Sequence, residues 1–171
     1  MRQGIAHAAV AGALGSMMII AVPTGAQAVS TTITADVTSG ALSISVPASA
    51  NLGAGAPGTS ISGPLGPATV TDDRALLAAS WTVTASESDF ISGASTMPAS
   101  AADYAPGSVT TTGTITVTQT SITLGNSPSV VLTGSSGVGN NTASWNPTVT
   151  LHVPASAVAG AYTGTLTQSV S

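Results

Sequence analysis

Apolar and hydroxyl residues alternate one by one in stretches that recur through this chain, and that period of two narrows its fold more than anything else in it. Leu42, Ile44 and Val46 alternate with serines; Trp81, Val83 and Ala85 with threonines; Ile115 and Val117 with threonines again. Ile122 and Leu124 follow after a turn. Val149, Leu151 and Val153 form a later set, and Tyr162, Gly164, Leu166, Gln168 and Val170 share one face near the end. Successive side chains of a strand point to opposite faces, so each stretch reads as a strand with one apolar side and one wet side. Ile33 and Val70 mark weaker strands, and Val130 to Leu132 is an apolar triplet. Helical periodicity is absent beyond the first residues, apart from possible single turns. About eight short strands joined by glycine-rich turns predict an all-β, antiparallel β-sandwich, with a closed barrel as the alternative.

The connections carry turn formers. Asn51 to Pro67, with three prolines and many glycines, reads as a long loop or edge excursion, and Gly134 to Asn141 as a Gly/Ser/Asn loop. A short pattern recurs at Val46-Pro47-Ala48-Ser49-Ala50, Met97-Pro98-Ala99-Ser100-Ala101 and Val153-Pro154-Ala155-Ser156-Ala157. Proline has no N–H to give a ladder, so this pattern reads as a strand exit followed by a tight turn.

The first residues have another role. Met1-Arg2 is a positive start, Ala8 to Val22 is apolar, and Ala26-Gln27-Ala28 matches a cleavage site. This is the layout of a secretory signal peptide over residues 1–28, cleaved after Ala28. A single domain over 29–171 follows, long enough to bury a core without cross-links. There is no cysteine, and no later apolar run is long enough to span a membrane. The expected location is secreted, at a bacterial cell surface, with attachment by non-covalent contacts.

Charge excludes several functions. Beyond residue 28 the acids are Asp36, Asp72, Asp73, Glu87, Asp89 and Asp103, and Arg74 is the only strong base. Nucleic-acid binding needs a basic footprint, and none exists. Adjacent Asp72 and Asp73 supply too few oxygens for calcium, so Asp72-Asp73-Arg74 reads as a solvated turn with a local ion pair. Glu87 and Asp89 share a face at spacing two, which is not the facing pair of a glycosidase. His152 is the only histidine beyond residue 28 and faces solvent on alternation, with no partner for a zinc site or triad. The chain is therefore expected to be no enzyme and to need no metal or cofactor. Asn140-Asn141-Thr142 matches a glycosylation acceptor and reads as surface loop. Trp81, Trp145 and Tyr162 remain, either as core packing or as an aromatic platform for glycan.

At these residues the chain resembles the WxL-type surface domain of Gram-positive bacteria. The proximal segment is Ala79-Ser80-Trp81-Thr82-Val83-Thr84-Ala85-Ser86-Glu87-Ser88-Asp89-Phe90, with Val83 where the motif has leucine. The distal segment is Ala159-Gly160-Ala161-Tyr162-Thr163-Gly164-Thr165-Leu166-Thr167, followed by Gln168-Ser169-Val170 where the motif has Trp-x-Leu. The stretch around Ser144-Trp145-Asn146-Pro147 is similar to a divergent actinobacterial branch of that family. The resemblance covers about Ile33 to Val170. It implies an Ig-like or WxL-like β-sandwich that associates non-covalently with cell-wall peptidoglycan or with other surface proteins. Trp81, Val83, Trp145 and Tyr162 become the candidate ligand-binding residues. The alternative is a structural, pilus- or matrix-like subunit that pairs through exposed sheet edges.

Overall fold

The computed structural model describes residues 30–171; the signal peptide expected at 1–28 lies outside the described residues. The chain divides into a leading unit that ends at Asp36 and a second unit, Val37–Ser171. Of the leading unit, Ser30–Asp36 is described; it forms no strand, and Ile33, expected in a weak strand, is 88 % exposed.

The second unit is an antiparallel β-sandwich of twelve strands, more than the eight expected. They are β1 (Leu42–Ser45), β2 (Ser60–Pro64), β3 (Ala68–Asp72), β4 (Leu77–Glu87), β5 (Phe90–Ser92), β6 (Ser95–Met97), β7 (Ala102–Ala105), β8 (Val109–Gln119), β9 (Ile122–Thr123), β10 (Ser129–Trp145), β11 (Thr148–His152) and β12 (Leu166–Val170). One sheet runs β1-β3-β10-β4-β12, with β8 on the other side of β10; the second runs β2-β11-β7-β9; β5 and β6 make a small hairpin.

Proline sets where the two sheets join. β2 leads into β3 through Leu65-Gly66-Pro67, β7 into β8 through Pro106-Gly107-Ser108, and β10 into β11 through Asn146-Pro147. These three strand paths lie side by side in both sheets, so the three junctions form one corner. A proline cannot donate to a ladder, and strands that bend at such points pass from one sheet to the other. The corner is stitched by Leu65 N–H to the Pro147 carbonyl (2.8 Å) and Gly66 N–H to Asn146 Oδ1 (3.0 Å). The stretch read as one long loop, Asn51 to Pro67, thus contains β2 and half of this corner.

The Gly134 to Asn141 segment is not a loop. It is the middle of β10, which pairs with β4 and β8 through its first half and with β3 and β8 through its second. Its small residues make bulges: the register shifts between Gly134 and Gly137, and Ser136 (φ 57) and Gly139 (φ 65) take left-handed backbone. Gly134 also answers a packing need, because a Cβ built there would overlap the indole of Trp81 on the paired strand.

β4 shows the alternation most cleanly. Ala79, Trp81, Val83, Ala85 and Glu87 are all buried, and the residues between them are not. The core they enter includes Val70, Tyr104, Leu124, Val131, Leu132, Trp145, Val149 and Leu151. The recurrent proline pattern makes two turns of one kind: Ala101 N–H bonds the Pro98 carbonyl and Ala157 N–H the Pro154 carbonyl, both at 2.9 Å. The first of these is a 3-10 turn, Ala99–Ala101. At Pro47 the chain only bends.

Between β3 and β4 the strand breaks at Asp73–Leu76. The ion pair expected there exists, but Asp72 is not solvated: its side chain is fully buried, and Arg74 caps it with Nε to Oδ1 at 2.8 Å and Nη2 to Oδ2 at 2.9 Å. Asp72 continues the inward register of Ala68 and Val70, so alternation carries it under the sheet.

Candidate functional site

The two motif-like segments are neighbours. β4 and β12 pair antiparallel, with Val83 opposite Val170, Ala85 opposite Gln168 and Glu87 opposite Leu166. Gln168 stands across from Ala85, so the distal strand places an amide, not a second indole, on the inner side of this pair.

Three of the four candidate residues are enclosed. Trp81 is 2 % exposed, Val83 0 % and Trp145 3 %. An aromatic face so covered offers no surface to a sugar ring, so these residues position their neighbours rather than meet a ligand. Tyr162 is half-buried, and its hydroxyl donates to the Val158 carbonyl at 3.0 Å. Trp81 and Trp145 differ in what their N–H groups do. The Trp81 indole N–H is buried with no partner among the described residues. The Trp145 indole donates to the Tyr104 hydroxyl (3.0 Å), which donates to Gln168 Oε1 (2.9 Å). Tyr104 is fully buried, and burial pushes its phenol up to about 12, so it stays a neutral donor. This relay runs from the core to a side chain that lines a cavity.

That cavity, about 350 Å³, lies where β4 and β12 end. One wall is the strand exit after β1, Val46 to Ala50. Leu52, Leu65, Phe90, Val149 and Leu166 give it apolar sides; Glu87, Gln168 and Ser49 are polar side chains in its lining, with Thr163 and Thr165 at the rim. The β5–β6 hairpin is fixed beside it by two bonds, Ile91 N–H to the Thr163 carbonyl and Thr163 N–H to the Ile91 carbonyl, each 3.0 Å. Across the backbone of the same strand ends, Ser86, Ser88, Asn126, Thr165 and Thr167 line a shallow polar hollow that also reaches Glu87.

Glu87 is the unusual member. It is 5 % exposed, and its Oε1 has no hydrogen-bond partner among the described residues. Burial pushes its carboxyl up to about 7. Its strand neighbour two residues on, Asp89, is engaged elsewhere: Oδ1 accepts from the Ala99 N–H at 2.9 Å and caps the 3-10 turn. The signal for Glu87 was in the alternation itself, since 81, 83, 85 and 87 fall in one register. Tyr104 carried no such signal, because its role depends on the distant Trp145 and Gln168.

A second cluster crosses the outer face of the β2–β11–β7 sheet. Ser60 Oγ lies 2.9 Å from His152 Nδ1, His152 Nε2 lies 2.9 Å from Asp103 Oδ2, and Thr123 donates to Asp103 Oδ1 at 2.7 Å. His152 is exposed, as alternation implied, but it does have partners. The Thr123 hydrogen bond first, and that of His152 next, hold the Asp103 carboxyl below its usual range. The amides beside Ser60 are engaged, Gly58 N–H with the Val153 carbonyl and Thr59 N–H with the Ala56 carbonyl, and so are not free as oxyanion donors. This array ties four strands, β2, β11, β7 and β9, together across a wet face.

Among the described residues no group of three or more His, Cys, Asp or Glu side chains could hold a metal ion, and no helix is long and apolar enough to cross a membrane. Comparison with protein-family models, with curated proteins and with solved structures finds no match for this chain.

Proposed function

We propose that this is a secreted domain of the bacterial cell surface that associates non-covalently with the Gram-positive wall, and that the cavity at the ends of β4 and β12 is where it makes contact. The observation that carries the reading is Glu87: a buried carboxylate with an unpartnered oxygen, lining a cavity of about 350 Å³ formed where the two motif-like strands run side by side. A group that costs free energy to bury and satisfies nothing inside is characteristic of a site and not of a core. The hydroxyl-rich hollow beside it suits a polyhydroxyl ligand, and the aromatic relay holds Gln168 in place from behind. Recognition rests on shape, hydrogen bonds and one enclosed carboxylate, not on a charged surface, so salt affects it weakly.

The test is a pull-down on isolated cell walls. Native protein is compared with Gly164→Val, which would crowd Glu87 and Phe90, and with Thr112→Ala on the far strand β8. The reading expects wall binding by native and Thr112→Ala protein and its loss in a folded Gly164→Val. No binding by native protein, or equal binding by all three, would overturn it.

A structural-subunit reading rests on β8. This strand has eleven residues, no charge and no proline, and β10 is its only partner among the described residues. Such an edge has few of the features that discourage pairing with another chain. Concentration-dependent association in light scattering, without wall, would favour this second reading.

A further inference from the structure

We infer that the cavity beside Glu87 takes up a primary ammonium group, with the Glu87 carboxylate as its counter-ion, the Gln168 amide beside it and the apolar walls around its stem. The inference rests on the reading of this cavity as the contact site.

Among the described residues no cation partners this carboxylate. Its only strong bases are Arg2, outside the described residues, and Arg74, which is committed to both oxygens of Asp72 and to the Ser80 carbonyl (2.9 Å). The elements that pack around Glu87 carry no cation. The segment Val46 to Leu52, β12, Leu65, Phe90 and Val149 bring no charge at all, and the nearest other titratable group along the chain is Asp89, itself an acid. None of the described residues supplies a cation to this carboxylate, and the inferred partner is an external one.

The cavity has the right construction. A volume of about 350 Å³ is at the small end for organic ligands, sized for one side chain or one sugar. Val46, Leu52, Leu65, Val149 and Leu166 can cover methylenes, and the Phe90 ring adds a face that attracts cations. Gly164 packs directly against the carboxylate. Its backbone is not in the left-handed region that favours glycine, yet a Cβ there would collide with Glu87 Oε1 and the Phe90 ring. Glycine at 164 is thus used for space, next to a buried acid with an unpartnered oxygen.

An entering ammonium favours the ionised carboxylate, opposing the burial that favours the neutral acid. Below pH of about 7, uptake therefore releases a proton, and affinity falls toward roughly tenfold per pH unit.

The experiment is calorimetric titration of the purified protein with two amines from different sources, Nα-acetyl-lysine amide and glucosamine. Their neutral counterparts, Nα,Nε-diacetyl-lysine amide and N-acetylglucosamine, serve as controls. At least one amine should bind at pH 8, about tenfold or more tighter than its neutral counterpart, and Glu87→Gln should lose that preference. Preference for the lysine derivative assigns a peptide source, and preference for glucosamine a glycan source. Equal binding of amine and neutral partner, unchanged preference in Glu87→Gln, or no saturable binding of either amine would overturn the inference. Wall pull-down with Glu87→Gln separates the two readings: wall binding by native and variant alike, with no amine preference, ends the ammonium inference and leaves wall association standing.

Discussion

Asp72 and Glu87 are two buried carboxylates on one interrupted strand path, β3 followed by β4, and they have opposite fates. Both reach the interior because alternation places them there, Asp72 after Ala68 and Val70, and Glu87 after Trp81, Val83 and Ala85. Asp72 meets Arg74, two residues away across the break in the strand, through two oxygens at 2.8 and 2.9 Å. The Arg74 hydrogen bonds hold its carboxyl below the usual range despite burial. Glu87 meets no cation, and burial alone pushes its carboxyl up to about 7. The first is a finished structural unit. The second is unfinished in the same chemical sense, and it lines a cavity. A buried acid is informative about function only when its partner is missing.

The comparison can be broken at either end. Arg74→Ala should have the largest effect, because it leaves Asp72 charged and enclosed: a loss of about 3 kcal/mol, read by urea denaturation at pH 7. A loss below about 1 kcal/mol would mean that Asp72 is less enclosed than the structure shows.

Glu87→Gln should act in the opposite direction. Between about 4.5 and about 7 the folded chain keeps a proton that the unfolded chain has released, so native stability falls as pH rises through that window. The glutamine variant has no such slope. It should match the native protein near pH 4 and exceed it by about 2–3 kcal/mol at pH 8. The Asp72 contribution has the reverse sign: with its folded pKa depressed, its stabilisation is present above 3.8 and is lost as pH falls further.

Gly134→Ala tests the packing of the β4–β10 pair. The added methyl would meet the Trp81 ring, and the expected loss is about 1–3 kcal/mol with a change in tryptophan fluorescence. The smallest effect belongs to His152→Ala. His152 and Asp103 have about half their side-chain surface in water (54 % and 49 %), and the pair should contribute less than about 1 kcal/mol in thermal denaturation at pH 6.

Much of this fold is legible in the residue pattern, because a strand with one dry face writes its register directly into the sequence. Trp81-Thr82-Val83-Thr84-Ala85 is such a case, and β12 and β11 are others. The pattern fails where pairing, and not composition, decides. Gly134 to Asn141 looks like a loop, yet β4 and β8 flank much of this stretch and hold it as bulged strand. Ile33 has strand-like neighbours in sequence but forms no strand. The candidate site was half visible. Of Trp81, Val83, Trp145 and Tyr162 none lines the cavity, and Trp145 reaches it only through Tyr104 and Gln168; Glu87 and Gln168 line it. Glu87 is in register with the core residues Trp81, Val83 and Ala85, but the sequence reading weighs it only as a pair with Asp89. Gln168 gains its place from Tyr104, 64 residues away, and no local pattern encodes that contact.

The most direct measurement is a carbon-13 NMR titration of the Glu87 side-chain carboxyl in the ligand-free protein. A midpoint near 7 is predicted for a carboxylate buried without a partner. A midpoint near the ordinary 4.5 would show Glu87 solvated or already paired, and would contradict the cavity as a site awaiting a cation.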